Sequence, residues 1–378
     1  MAPQRWVGSA LCPDYGTEEV AEALSRLLKP WGGWSAFVSP GERVLLKVNL
    51  LSQAAPERAV TTHPSVVEAV ARGVMAVGGI PEIGDSPPFG GFRAIARESG
   101  IEEVARKLGI PLLELGNPKP FEGGVPPFQR LLLSQELRRF DKVINLAKVK
   151  THTKMVLSLA VKNLFGVVPG KLKGEWHLKT HRDDLLFAMV LVGIYRMVNP
   201  AFSLLDGIVS MEGEGPSNGT PRNTGFLAGS PDGIALDAYV ASLLGLPAKR
   251  LPTLQAAERM GLVDPGGYEL LGERPGPERF QGFLLPKTLS GERRVPLWFA
   301  RLYLGLRERR PWIDAALCER CGRCRQICPA QAIVGEGEFR VDLERCIRCF
   351  CCQEICPAGA VLLKKGWKSR GNKSGGRA

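Results

Sequence analysis

The sequence contains no apolar run long enough to cross a membrane. The longest, Leu185 to Tyr195, is eleven residues, against the ~20 that a spanning helix needs, and it reads as a buried helix. The start, Met1-Ala-Pro-Gln-Arg-Trp6, lacks a charged stretch followed by an apolar one and a small-residue cleavage site, so no secretory leader is expected. Cysteine is almost missing from the first 317 residues, where Cys12 stands alone. A disulfide scaffold spreads its cysteines, so that architecture is excluded and a reducing, cytoplasmic setting is expected. Also missing are a Walker lysine and the glycine spacing of a dinucleotide-binding turn, so nucleotide or flavin fingerprints give no lead. Disorder is not the default, because 44% of residues are hydrophobic and 23% charged, as in ordinary folded proteins.

The chain is short of acid, with a net charge of +12, which first suggests nucleic acid. The distribution argues otherwise. Lys364, Lys365, Lys368, Arg370, Lys373 and Arg377 lie in the last fifteen residues without one acidic group, so residues 364–378 read as a basic, solvated, disordered tail. About +6 remains for the rest, a weak footprint for phosphate backbones.

At 378 residues two or three domains are expected. Residues 1–270 alternate β-rich and helical patterns, which predicts a layered α/β body with a mostly parallel sheet. Arg43–Leu50, Ile80–Gly84, Lys142–Leu146 and Phe202–Asp206 read as strands, while Pro64–Val77, Met155–Phe165 and Asp232–Leu244 read as helices. Residues 271–313, rich in Pro, Gly and Arg, read as a connector in which Trp298, Phe299, Tyr303 and Trp312 pack around the module that follows.

That module, 314–363, holds nine of the ten cysteines. Cys318-x2-Cys321-x2-Cys324-x3-Cys328-Pro329 recurs 28 residues later as Cys346-x2-Cys349-x2-Cys352-x3-Cys356-Pro357, with Asp314/Asp342, Arg320/Arg348, Ile327/Ile355, Ala330/Ala358 and Ala332/Ala360 in register. This is an internal duplication. Three thiolates at this spacing wrap one face of an iron–sulfur cube, and the fourth reaches the other cube. The ligand sets are therefore Cys318, Cys321, Cys324 and Cys356 on one [4Fe–4S] cluster, with Cys346, Cys349, Cys352 and Cys328 on the second. Zinc would need two C-x2-C pairs, not two triplets each followed by Cys-Pro. Over about fifty residues the segments resemble a dicluster bacterial ferredoxin, a small α+β domain. Cys351 occupies the place of Arg323 in the repeat and reads, like Cys12, as a bystander.

In open α/β sheets ligands bind beyond the carboxyl ends of the strands, which directs attention to four places. Lys47 and Asn49 close one strand, and a lysine there is costly unless its ammonium reaches water or a carboxylate. Asp85 and Ser86 open the glycine-rich stretch to Gly91, whose backbone N–H groups could face an anion. Lys148, Lys150 and His152 alternate along an extended segment and form a cationic grip for a carboxylate or phosphate, leading to Asn163. Asp206 ends a further strand and leads to an acidic loop with Glu212, whose carboxylates could answer the lysines, position a substrate amine or hold a divalent cation. His177 and His181 are four residues apart, but no nearby acid completes an HExxH set, so they read as a partly exposed loop or lid. The stretches Val44–Leu50, Asn145–His152, Ala160–Gly166, Asp206–Pro216 and Pro231–Asp237 together resemble the family called domain of unknown function 362, over about residues 40–245. Its members often carry a C-terminal ferredoxin module. The resemblance implies no activity, only that Lys47, Asn49, Lys148, Lys150, His152, Asn163, Asp206, Glu212 and Asp237 gather at one pocket.

The combined expectation is an iron–sulfur oxidoreductase. Two clusters would exchange electrons with an external donor or acceptor protein and with an anionic small molecule, with Lys150 and His152 as the reacting groups and Lys47, Asn49, Asp85, Ser86, Lys148, Asn163, Asp206, Glu212 and Asp237 binding it. The alternative is a non-catalytic electron carrier, or an assembly factor acting on a partner protein.

Overall fold

The structure is a computed structural model that describes residues 5–262, 267–288 and 309–365. The body is built on β1 (Trp6–Leu11), β2 (Arg43–Lys47), β3 (Ile80–Asp85), β4 (Leu112–Glu114), the hairpin β5 (Pro118–Glu122) and β6 (Arg130–Ser134), β7 (Lys142–His152), β8 (Val156–Ser158), β9 (Phe202–Glu212), β10 (Thr220–Ser230) and β11 (Glu269–Gly272). Apart from the hairpin these form one nine-stranded sheet in the order β11-β1-β10-β9-β7-β2-β3-β4, with β8 on β7. Its ladders are mostly parallel: β4, β3, β2, β7 and β9 run the same way, and antiparallel pairing enters with β10, between β9 and β1, and with β8.

A parallel sheet must be covered on both faces, and alternation along the strands does this. Val44, Leu46, Ile144, Leu146, Phe202 and Leu204 turn to one core with α1 (Thr17–Leu28), α2 (Pro64–Ala76), α3 (Phe92–Glu98) and α4 (Ile101–Leu108). Leu45, Val143, Ala147 and Leu205 turn to the other. That second face is covered by α5 (Ala160–Asn163), α6 (Gly170–Thr180), α7 (Asp184–Val198), α8 (Gly233–Leu243) and α9 (Pro252–Arg259). The apolar run at Leu185 lies in α7, buried from Phe187 to Tyr195 except for Met189. No described helix is long and apolar enough to cross a membrane.

Two expectations are corrected. The continuous helix over Met155–Phe165 is instead a short strand, β8, then α5 and a 3-10 turn, because β8 pairs back on β7 through Lys150↔Ser158 and cross-strand pairing overrides local helix preference. Lys364 and Lys365, assigned above to the tail, complete a strand.

That strand, β15 (Val361–Lys365), pairs with β12 (Arg309–Ile313), and β13 (Ile333–Val334) pairs with β14 (Arg340–Val341). Two short helices, α10 (Arg323–Ile327) and α11 (Cys351–Ile355), complete the small C-terminal module. The duplication is written into its backbone. Left-handed φ recurs at Arg320 and Arg348, at Gly322 and Phe350, and at Gln331 and Gly359, each pair 28 residues apart. Asp314 N donates to Ala360 O as Asp342 N donates to Ala332 O, so each repeat begins against the end of the other. Trp312 is half exposed, its ring beneath the Lys364 ammonium at 4.4 Å, not packed inside. Trp298, Phe299 and Tyr303, like the tail beyond Lys365, lie outside the described residues.

Candidate functional site

Crossing of the two repeats sorts the thiols. Cys318, Cys321, Cys324 and Cys356 line one small cavity, and the electrostatic neighbours of Cys324 are Cys356, Cys318 and Cys321. Cys346 has Cys349 and Cys328 as its thiol neighbours. The fourth cysteine of each repeat thus stands with the other repeat's three. Among the described residues no group of three or more His, Cys, Asp or Glu could hold a single metal ion. A four-iron cube is instead held by four cysteine thiolates around one space. Backbone N–H groups of Ala332 and Ala360 donate to Cys328 Sγ and Cys356 Sγ, both at 3.2 Å, as outer-sphere bonds that stabilise thiolate ligands. The chain's own cysteines therefore fit two [4Fe–4S] clusters.

Cys321 is exposed, whereas Cys346, Cys349 and Cys352 of the second set are buried. Helix α11 docks on the body through Gln353, which accepts from Thr153 Oγ1 at 2.8 Å and donates to Glu214 O at 3.1 Å, while Asn218 Nδ2 donates to Gln353 O at 2.6 Å. Between module and body lies a cavity of about 490 Å3. Cys328 of the second set lines it together with Lys150 and His152.

The carboxyl ends of β2, β3 and β7 supply the body's side of this cavity. Lys47 Nζ meets Asp85 Oδ1 at 2.8 Å with both groups buried, and Asp85 also accepts from Leu50 N at 2.6 Å and Ser86 N at 2.7 Å. Gly166 passes so close that a Cβ there would collide with Asp85 Oδ1 and Lys47 Nζ, which explains the glycine. Lys150 Nζ donates to Asn49 Oδ1 and Val60 O, each at 2.6 Å. With no carboxylate on it, burial pushes its pKa down to about 7, helped by Lys162 and Lys148. Asn49 Nδ2 donates to Asn163 Oδ1 at 2.9 Å, so the amide that orients Lys150 is itself oriented.

His152 Nδ1 accepts from the N–H groups of Lys154 and Met155, both at 3.1 Å, so the ring proton sits on Nε2. That atom is 3.2 Å from Glu354 Oε1 but out of line for a hydrogen bond, and neither atom has a hydrogen-bond partner in the structure. Burial, then the neighbouring Lys162, hold His152 well below the usual histidine range, so it is neutral at pH 7. Glu354 is pushed up by burial and eased by Lys162, Lys150 and Lys154.

Of the residues singled out in the sequence, Asn49, Asp85, Ser86, Lys150, His152 and Asn163 line the cavity, with Lys47 behind Asp85. Lys148 does not reach it. A register shift in the β7–β9 ladder falls between Lys148 and Lys150, and Lys148 Nζ is held at 2.9 Å from Asp206 and 2.6 Å from the Tyr15 hydroxyl, beneath a Tyr15–His63 stack at 3.5 Å. Asp206 therefore serves that buried pair. Glu212 pairs with Arg222 at 3.1 Å and accepts from Leu284 N, and Asp237 caps α5 by accepting from Ala160 N at 2.8 Å and Val161 N at 3.2 Å.

Among the wall residues that the sequence reading did not assign to the site are Lys162, Lys173, His177, Cys351 and Glu354. Lys173 Nζ donates to Ser86 O and Val168 O, and burial pushes its pKa down to about 7. His177 is no exposed lid. It is buried on α6, stacked on Phe187 at 4.5 Å, with its pKa lowered to about 3 by burial, whereas His181 is exposed. Glu354 sits two residues from two cluster cysteines, a local hint that spacing alone did not single out.

Residues 310–357 match the 4Fe-4S dicluster domain. A protein from Synechocystis sp. named Thylakoid-associated protein sll1697 is 43% identical over 261 residues, covering 68% of this chain and 79% of that one. Among solved structures, the lactate racemase apoprotein from Thermoanaerobacterium thermosaccharolyticum superposes with a TM-score of 0.39 at 13% identity, covering 60% of this chain and 55% of that one. The family described as Domain of unknown function (DUF362) matches residues 44–242, more than half of the chain, and the protein belongs to that family.

Proposed function

We propose that the protein is an iron–sulfur oxidoreductase of the cytoplasm, passing electrons between its two clusters and an organic anion held in the cavity between body and module. One observation carries this reading: Cys328, a ligand of the second cluster, shares a cavity wall with Lys150 and His152, so a bound molecule would lie against both the electron source and the groups that handle protons. The clusters supply single electrons in turn.

The chain's residues supply the rest. Lys150 spends two N–H bonds on Asn49 and Val60, which leaves one position on Nζ facing the cavity as either a proton or a lone pair. A lysine whose pKa lies near 7 is suited to give and retake a proton at neutral pH. His152, neutral and protonated on Nε2, offers a fixed donor next to it. The exposed Cys321 puts the first cluster where an external carrier protein can reach it, and the second lies within.

The test is reoxidation. Anaerobically reduced protein is mixed with phosphorylated and carboxylated metabolites, and recovery of the oxidised cluster absorbance is followed. An active anion should reoxidise the wild type and fail to do so with Lys150→Ala, whose iron content stays unchanged. If no anion reoxidises the clusters, or the variant responds equally, the carrier or assembly reading replaces this one.

A further inference from the structure

Charge inside the cavity is unbalanced. Lys150, Lys162 and Lys173 all reach it, and none has a carboxylate within bonding distance. Lys150 and Lys173 donate to neutral oxygens of Asn49, Val60, Ser86 and Val168. Among the described residues Lys162 has no hydrogen bond or ion pair, only a contact over the Phe165 ring at 5.6 Å. On the acidic side, Asp85 is already matched by Lys47 at 2.8 Å, and Glu175 lies on the exposed rim opposite Lys179 at 3.4 Å. That leaves Glu354. Three lysines face one buried carboxylate, and whenever they are protonated the cavity holds an excess of positive charge in a place where like charges are costly unless an anion joins them.

The cations are also spread out. Lys162 acts electrostatically on Lys150, His152, Lys173 and His177. The charges acting on Lys173, by contrast, are Asp85, Lys47 and Lys162, with no contribution from Lys150. Lys150 and His152 come from β7, whereas Lys173 and His177 stand one turn apart on α6. At the Lys173 end, His177 Nδ1 is buried without any hydrogen-bond partner. Phe89, Phe165 and Ile327 line the same space.

Resting on the anion-pocket reading above, we propose that the ligand is an organic dianion with an apolar body, one acidic group held by Lys150 and the other by Lys162, Lys173 and His177. Each acidic group gains charge-assisted hydrogen bonds from groups that otherwise bury unmatched charge, and the body lies against the aromatic and aliphatic wall. A rival explanation uses the same lysines to offset the negative charge of the thiolate-bound cluster at Cys328, and the experiment separates the two.

Full-length protein purified anaerobically with its clusters is titrated calorimetrically at pH 7 with terephthalate, which has two charges on a flat apolar body, with benzoate, which has the same body and one charge, and with sulfate, which has two charges and no body. Terephthalate should bind roughly tenfold or more tightly than either of the others. Lys162→Gln, with iron content as in the wild type, should lose that preference while benzoate affinity stays within about twofold. Lys173→Gln is read the same way if Lys162→Gln does not fold. Benzoate binding as tightly as terephthalate overturns the dianion inference and leaves the anion pocket standing. Binding of no probe overturns both. A variant that keeps the terephthalate preference while the cluster's midpoint potential shifts shows that the lysines serve the cluster, and the proposal falls.

Discussion

Replacing Lys150 with Met should stabilise the protein in mild acid and destabilise it in mild base. Lys150 is 1% exposed and its pKa is pushed from 10.5 to about 7 by burial. Holding the ammonium in place at pH 6 therefore costs roughly 5 kcal/mol relative to the unfolded chain. Because the folded pKa is depressed, the unfolded chain binds more protons between pH 7 and 10.5, so this penalty fades and stability rises across that window. Met has a similar length and no charge, so it removes the penalty but strands the acceptors Asn49 Oδ1 and Val60 O, at about 1–3 kcal/mol. The balance is a net gain of a few kcal/mol at pH 6. At pH 9.5 most of the penalty has gone, and the stranded acceptors dominate. Anaerobic thermal melts of both proteins, intact with clusters, should show the variant melting higher at pH 6 and lower at pH 9.5, by roughly 2 °C per kcal/mol or less. A difference in melting temperature that does not vary with pH would refute the reasoning, since it would mean that Lys150 keeps one charge state throughout. A buried lysine that costs this much fits a site where stability is traded for function.

Other consequences follow from the crossed ligand sets and the body–module contact. Cys328→Ser should damage the cluster of Cys346, Cys349 and Cys352 and spare the one held by its sequence neighbours Cys318, Cys321 and Cys324; paramagnetic resonance showing the reverse loss would mean that the sets are not exchanged. Truncation after Lys365, which keeps all of β15, should leave iron content and melting temperature unchanged, whereas truncation after Leu363 removes the last two rungs of the β12–β15 ladder and should lower the melting temperature of the module by a few degrees; equal melting of the two forms would show that those rungs contribute nothing.

That a dicluster module closes the chain was legible in the sequence. Its ligands lie within 39 residues, their spacing is set by the geometry of the cube, and the 28-residue repeat identifies each position twice. The sheet was legible for a similar reason: buried parallel strands leave continuous apolar runs, and the lysines at their carboxyl ends mark the edge that meets the cavity. What the sequence could not decide was which polar residues meet. Lys148 and Lys150 look equivalent two positions apart on one strand, yet Lys148 is closed off by Asp206 and Tyr15, which come from distant parts of the chain, while Lys150 opens to the cavity. Lys162, Lys173 and His177 become site residues only because α5 and α6 fold over the strand ends. Glu354 does so only because α11 docks on Thr153 and Glu214. A ligand set spaced along one short segment is a local property that pattern can express. A cavity walled by segments some 200 residues apart depends on how two units pack, and only the tertiary structure fixes that.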